Sequence, residues 1–420
     1  MSVDSPPPGG TGPATPSVPE ERPPAVAGEG VADEVGASTA ETEAAPAVTD
    51  VSGAGADESI EVTEEKTRDL TWVRRGLMLV WAAAVILWMS RFGISFDRTS
   101  LIVFLAIGMV IATIGRRRAI TVLIDWLPFV LILMLYDWTR SIAVWMGMPT
   151  HWHLAADVDH AMFGVSPTAW LQSEIKFADP PWWEIITSIV YMSYFIVPYA
   201  TAAYMWVKDR AVWRRFAACF VAVSFIGLIG YTLVPAAPPW AAAKCTSAEV
   251  ADYPHDPDCM YEPEGVVEGN LLGPVNPKND GNPYVERISG RGWAVVGIEQ
   301  ADHLLKKGQG RSNLVAAIPS LHAALTMLLA LFMWPRVKAL GKFLFMGYAW
   351  VMAFTLVYTA EHYVFDILLG WGLAAAVIAV YQLIDKRYIQ PRNARRDAER
   401  ERERLAAVAE ATGDGVEVEA

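Results

Sequence analysis

The feature that most constrains this chain is a series of long apolar runs. Eight stretches, at roughly 75–91, 99–115, 119–146, 181–206, 212–234, 316–334, 340–358 and 363–384, carry few charges. A helix needs about 20 residues to cross the hydrocarbon core of a bilayer, and in lipid its backbone must bond to itself. The first two runs are near the lower limit, and the third is long enough to tilt or break near Asp137 and Arg140. The expected fold is an all-α integral membrane protein, a helical bundle of about eight spans with a disordered N-terminal tail and a long extracytoplasmic loop. A content of 53% hydrophobic residues and 17 Trp exceeds that of an average soluble protein.

The net charge of −12 is concentrated in the tail. Residues 1–65 hold 14 Asp and Glu against one basic residue, Arg22, and the remainder sums to about +1. Neither an acidic partner for the folded part nor nucleic acid is implied. Residues 1–70 read as a disordered, acidic, Pro/Ala-rich cytoplasmic tail, 71–388 as the transmembrane domain and 389–420 as a charged cytoplasmic C-terminal helix and tail. The first apolar run follows Arg74 and Arg75, so the tail is not a cleavable secretory signal.

Basic residues set the orientation. With eight spans, Arg74 and Arg75, Arg116–Arg118, Lys208 to Arg215, Arg336 to Lys342 and Lys386 to Arg396 all fall on one side. Both termini are then cytoplasmic in a multi-pass plasma-membrane protein. Loop 147–180, loop 235–315 and the turn at 358–362 face outside. A short interfacial helix is expected around Pro167–Lys176. Cys245 and Cys259 share the outer loop, where oxidation is allowed and a disulfide is expected. A metal pair is the weaker reading, with His255 alone nearby. Cys219 lies in an apolar run and reads as a core residue.

This topology brings His322 and His362, 40 residues apart, to the same outer depth on two helices. Asp366 lies four residues after His362 on one helix face, placed to orient an imidazole. Pro319 and Ser320 open the His322 helix, whose N-terminus is a potential anion site. A histidine nucleophile, a histidine acid, an orienting carboxylate and an anion site suit phosphoryl transfer through a phospho-histidine. The arrangement needs no metal and no cofactor.

The strings "PSLH" at 319–322 and "HYVFD" at 362–366 resemble the type 2 phosphatidic acid phosphatase superfamily of membrane lipid phosphatases and phosphotransferases. "YTAEHYVFDILLGW" and the Pro-rich "YTLVPAAPPW" at 231–240 are most similar to the branch that includes inositolphosphorylceramide synthases. The resemblance covers about residues 119–385. It implies His362 as nucleophile, Asp366 as its partner, His322 as the acid on the leaving group and Ser320 as a phosphate contact. It also implies a lipid phosphate or phospholipid donor and, for transfer, a polyol or lipid acceptor. The sequence departs from the family where Leu356 stands in place of an Arg six residues before the nucleophile, and where Trp240 follows Pro239. Arg140 is the best replacement for the missing phosphate-binding cation, with Arg311, Lys244 and Arg291 as alternatives.

Two other classes were weighed. Intramembrane Asp137 and Arg140 would suit a transporter, but there is no repeated half. A protease using Ser320 and His322 is disfavoured because residues two apart on a helix do not face each other. Within the enzyme class, hydrolysis and transfer use the same residues. The branch resemblance favours transfer of a polar head group, such as inositol phosphate, over plain lipid phosphate hydrolysis.

Overall fold

The computed structural model describes residues 70–92, 98–114, 119–261, 267–298 and 313–412. The acidic tail, Arg311 and the last eight residues lie outside this set, as do the side chains of Asp137 and Arg140.

The described residues are helical apart from loops and three isolated bridges. In chain order the helices are α1 Thr71–Phe92, α2 Arg98–Thr113, α3 Ala119–Trp145, α4 Leu154–Phe163, α5 Pro167–Ile175, α6 Trp182–Ser193, α7 Val197–Lys208, α8 Arg210–Leu233, α9 Pro239–Ala242, α10 Gly292–Val295, α11 Leu321–Met333, α12 Ala339–Tyr358, α13 Val364–Ile384 and α14 Gln390–Thr412. Each of the eight expected apolar runs contains helix, although 194–196 and 316–320 are not helical. By length and composition, however, four helices among the described residues can cross a membrane, or five if α6 and α7 form one span bent by 52°.

The shortfall has local causes. Pro198 has no N–H to donate and breaks the run expected over 181–206, so α6 ends at Ser193 and α7 starts at Val197. Pro335 ends α11 in a 3₁₀ turn, Trp334–Arg336. At 1.5 Å per residue, α11 itself is only about 20 Å long.

The packing centres on α11. It lies against α7, α8, α12 and α13, and Ala323, Ala324, Leu328, Leu329 and Ala330 have no exposed surface. The outer helices expose large apolar side chains instead. Leu340, Phe343, Leu344 and Trp350 stand on the outer face of α12, while Ala349, Met352 and Leu356 face inward. That pattern suits lipid on the outside and protein within. At the other end of the bundle, Asp125 of α3 accepts a forked pair of hydrogen bonds from Arg210 and one from Trp206 Nε1, tying α3 to α7 and α8.

The segment expected as a long polar loop, 235–315, is a folded layer where it is described. It has its own apolar core of Trp152, Trp240, Val250, Met260 and Val285. Cys245 and Cys259 lie at disulfide distance within it, Cα atoms 5.4 Å apart. The expected interfacial helix is present as α5, started by Pro167 and capped by the Ser166 hydroxyl. α4 just before it was not anticipated.

Two glycines allow the close approaches that bring the helix starts together. A Cβ at Gly370 of α13 would sit 2.4 Å from the Ser320 carbonyl oxygen, and one at Gly230 of α8 would sit 2.7 Å from the Pro319 ring. The first obstacle is backbone and cannot swing aside. Gly370→Ala is expected to force α13 away from α11, costing on the order of 1–3 kcal/mol. Thermal unfolding in detergent measures this, and an unchanged midpoint would show that the approach is loose.

Candidate active site

The site is assembled where the chain enters α11 and α13. Ser320 caps α11, its hydroxyl accepting from Ala323 N–H at 3.3 Å. Tyr231 of α8 accepts from Leu321 N–H through its hydroxyl at 3.2 Å. Ser320 N–H donates to the Asp366 carbonyl at 3.0 Å, a direct backbone link between the two helix starts. Ser320 is fully buried, so its observed role is the cap. The amides of α11 expected to receive an anion are partly used by these groups.

At the start of α13, His362 stands in the turn before the helix rather than on its face, and its Nδ1 lies 3.3 Å from Asp366 Oδ2; the same oxygen accepts from Tyr363 N–H at 3.0 Å. The sequence spacing of four suggested this pairing. With Nδ1–H donating to Asp366, the lone pair of Nε2 is left for chemistry. The His322 and His362 rings stand 5.9 Å apart between centroids. The predicted trio is therefore gathered, although its members come from α11, α13 and the turn before α13.

A turn carries His362 into place. Ala360 adopts φ +61°, a left-handed value uncommon for alanine, and the Leu356 carbonyl accepts from both Glu361 N–H and His362 N–H. Leu356, at the position where the family resemblance implies an arginine, is fully buried among Tyr191, Met192, Met352 and Ile367. No cation can act from that position.

Sequence reasoning missed three groups. Glu361 accepts a bidentate pair from Arg287, at 2.9 and 2.8 Å, and a bond from the Ser289 hydroxyl at 2.5 Å. The Arg287 guanidinium also lies over the Trp240 ring, 4.4 Å from its centroid, and interacts with Tyr191. Burial would push the Glu361 carboxyl up; Arg287 and Ser289 overrule it and hold it below the ordinary glutamate value. The available signal was an acidic residue beside the proposed nucleophile. Nothing in the sequence pointed to Arg287. The third group is Tyr191 and Tyr194, which pack on the His322 ring.

A second layer holds this turn against the loops. Gln172 of α5 bonds to the Glu286 and Tyr358 carbonyls and accepts from Glu286 N–H. Lys176 pairs with Glu286 at 2.8 Å. Arg291 forks onto Glu184 at 2.7 and 2.6 Å, and Tyr358 donates to the same carboxylate. Arg291 is thus committed to structure. Lys244 lies half-buried just after α9, on the segment that carries Trp240. Trp240 N–H donates to Ala360 O, which ties that segment to the turn that carries His362. Among the described residues, no three His, Cys, Asp or Glu are grouped to hold a metal.

Asp159 of α4 was also missed. It is fully buried, and its two oxygens accept from Val364 N–H and Phe365 N–H at 2.9 Å each, capping α13. Burial pushes its carboxyl up from 3.8 to about 6, against the pull of those two amides, with Asp366 adding to the rise. A value raised on folding means that Asp159 stabilises the fold fully below its unfolded value and loses that contribution as pH rises through about 6. Asp159→Asn does not titrate. The difference in melting temperature, wild type minus variant, should therefore fall between pH 4 and pH 7. A flat difference would return Asp159 to the ordinary carboxylate range.

A family model described as the PAP2 superfamily matches residues 156–380. The phosphoinositol dihydroceramide synthase of Bacteroides thetaiotaomicron is 26% identical over 258 residues, which cover 59% of this chain and 72% of that protein. No solved structure matches the chain. The family match begins in α4, ends in α13 and so takes in both histidine-bearing strings over more than half of the sequence: the chain belongs to the PAP2 superfamily.

Proposed function

We propose that this protein is a membrane lipid phosphotransferase or phosphatase that works through a phospho-histidine on His362. The observation that carries the proposal is the His362–Asp366 pair facing His322 at 5.9 Å between ring centroids, at the converging ends of two apolar helices. His362 Nε2 attacks phosphorus, the bond from phosphorus to the leaving oxygen breaks, and His322 gives that oxygen its proton. Water or an acceptor hydroxyl then attacks the phosphorus–nitrogen bond, and its proton passes to His322. No net proton or electron is left over.

The equatorial oxygens need positive charge. Arg140, Arg311 and Lys244 keep that role in the proposal. Arg287 joins them, because it is bonded to the neighbour of His362 and interacts with a tyrosine stacked on His322. Ser320 supports the site by starting α11, and a direct phosphate contact from it remains part of the proposal. The basic loops favour the orientation with both termini cytoplasmic and the site outside, at the plasma membrane, and the remaining apolar helices completing about eight spans. The Cys245–Cys259 pair suits that compartment.

Transfer of a polar head group such as inositol phosphate is the favoured outcome, supported by the similarity to the Bacteroides phosphoinositol dihydroceramide synthase. Hydrolysis uses the same residues. Purified protein in lipid, given labelled phospholipid donors with and without polyol or lipid acceptors, separates the two. A new lipid means transfer; free phosphate or a free phosphorylated head group means hydrolysis. Neither product from any lipid phosphate ester would end the proposal.

The two histidines should fail differently. His362→Ala removes the attacking nitrogen and should abolish turnover of every donor. His322→Ala should lose about 10²–10⁴-fold on natural donors, the usual general-acid contribution. It should recover much of that loss on a donor with a nitrophenol leaving group, which needs little protonation. Rescue of His362→Ala by the activated donor would exchange the roles. Equal losses on both donors in His322→Ala would remove it from the acid role.

A further inference from the structure

His322 is held in an aromatic collar that the mechanism so far does not use. Tyr191 stacks on its ring, with centroids 5.1 Å apart and planes 21° from parallel. Tyr194 lies 4.0 Å away between centroids, and Phe195 meets the ring edge-on at 6.2 Å and 85°. All three come from the end of α6 and the break that follows it. There the backbone closes tight turns, Phe195 N–H to Met192 O and Ile196 N–H to Ser193 O, before Pro198 allows α7 to restart at a 52° bend. Spaced i, i+3 and i+4, residues 191, 194 and 195 share one side of the element, as they would on a helix. The three rings therefore reach one histidine together.

The collar does not seal the site. Tyr191 is buried, but Tyr194, Phe195 and His322 each keep part of their surface. The outer face of the same element is apolar, with Ile186, Ile189 and Ile196 all exposed. The polar side chains Arg287, Ser289 and Glu361 are gathered instead at the turn that carries His362. The histidine expected to meet the leaving oxygen therefore has an aromatic flank next to an apolar outer surface.

A general acid must touch the leaving group, so whatever packs on the open side of the acid borders that group. We infer that Tyr194 and Phe195 form the leaving-group wall and select a donor whose leaving alcohol is a lipid over one whose leaving alcohol is small and polar. The inference rests on His322 being the acid, and it adds the residues that decide which alcohol departs.

Matched donors test it: phosphatidylinositol against glycerophosphoinositol, and phosphatidic acid against glycerol 3-phosphate. Each pair shares its phosphate and its primary glycerol oxygen and differs in the acyl chains. The full chain is assayed in mixed micelles, both members of a pair in one pot, and the ratio of kcat/KM, lipid over deacylated, is read. In Tyr194→Ala and Phe195→Ala this ratio should fall on the order of 10-fold, the usual size of a lost apolar contact in a specificity pocket. Tyr194→Phe keeps the ring and should keep the ratio. If an alanine variant fails to fold, Tyr194→Leu and Phe195→Leu replace it, removing the ring but not the bulk. Equal losses on both members, leaving the ratio unchanged, would show a merely structural collar and overturn the inference. Failure of the acid reading appears separately, as equal losses of His322→Ala on natural and nitrophenyl donors, whatever the collar variants do.

Discussion

Everything in the site depends on how closely the start of α13 lies against the start of α11. His322 is on α11 and His362 in the turn before α13, and no bond joins their side chains directly in the mechanism proposed. Their separation is set by backbone: the Ser320 N–H on the Asp366 carbonyl, and Gly370 giving Ser320 room. Asp366 serves the link twice, its carbonyl holding α11 and its carboxylate holding His362. A buried carboxylate is costly unless its partners are fixed, and here the backbone and the imidazole both fix it.

Around this contact the protein uses loops as a rigid layer. Parallel bridges set His151 beside Ala236 and Ala236 beside Ala316, so three distant segments converge at the entrance of α11. Trp240 and Ile288 then bond to the backbone of the turn at 359–360. Buried charges in this layer are paired: Lys176 with Glu286, Arg291 with Glu184, Arg287 with Glu361. The turn that carries His362, with alanine in a left-handed conformation, is held on one side by these pairs and on the other by α12. Rigid support of that kind lets a site keep a geometry the turn alone would not favour.

The local contacts of the candidate site were legible in the sequence. His362 and Asp366 are four apart and pair, although His362 stands in the turn just before α13 rather than on it, and Ser320 sits one residue before α11 where a cap belongs. Local spacing determines such contacts whatever the rest of the chain does. The groups that were missed are non-local. Arg287 reaches Glu361 across 74 residues, Asp159 reaches Val364 across 205, and Tyr194 reaches His322 from another helix. Hydrophobic periodicity also read the run over 181–206 as one span, because apolar character continues through the break that Pro198 imposes.

By itself the sequence determined that the apolar runs are helical, where they lie, and that His362 and Asp366 stand close enough to pair. Apolar length and helical spacing act within one segment, so they need no knowledge of its neighbours. Only the tertiary structure decided what surrounds those residues: that Leu356 is core, that Ser320 is a cap, and that Glu361 is held by Arg287. It also decided that His322 is ringed by Tyr191, Tyr194 and Phe195. Those contacts are fixed by how helices pack and where a proline breaks one, which depends on every neighbour at once.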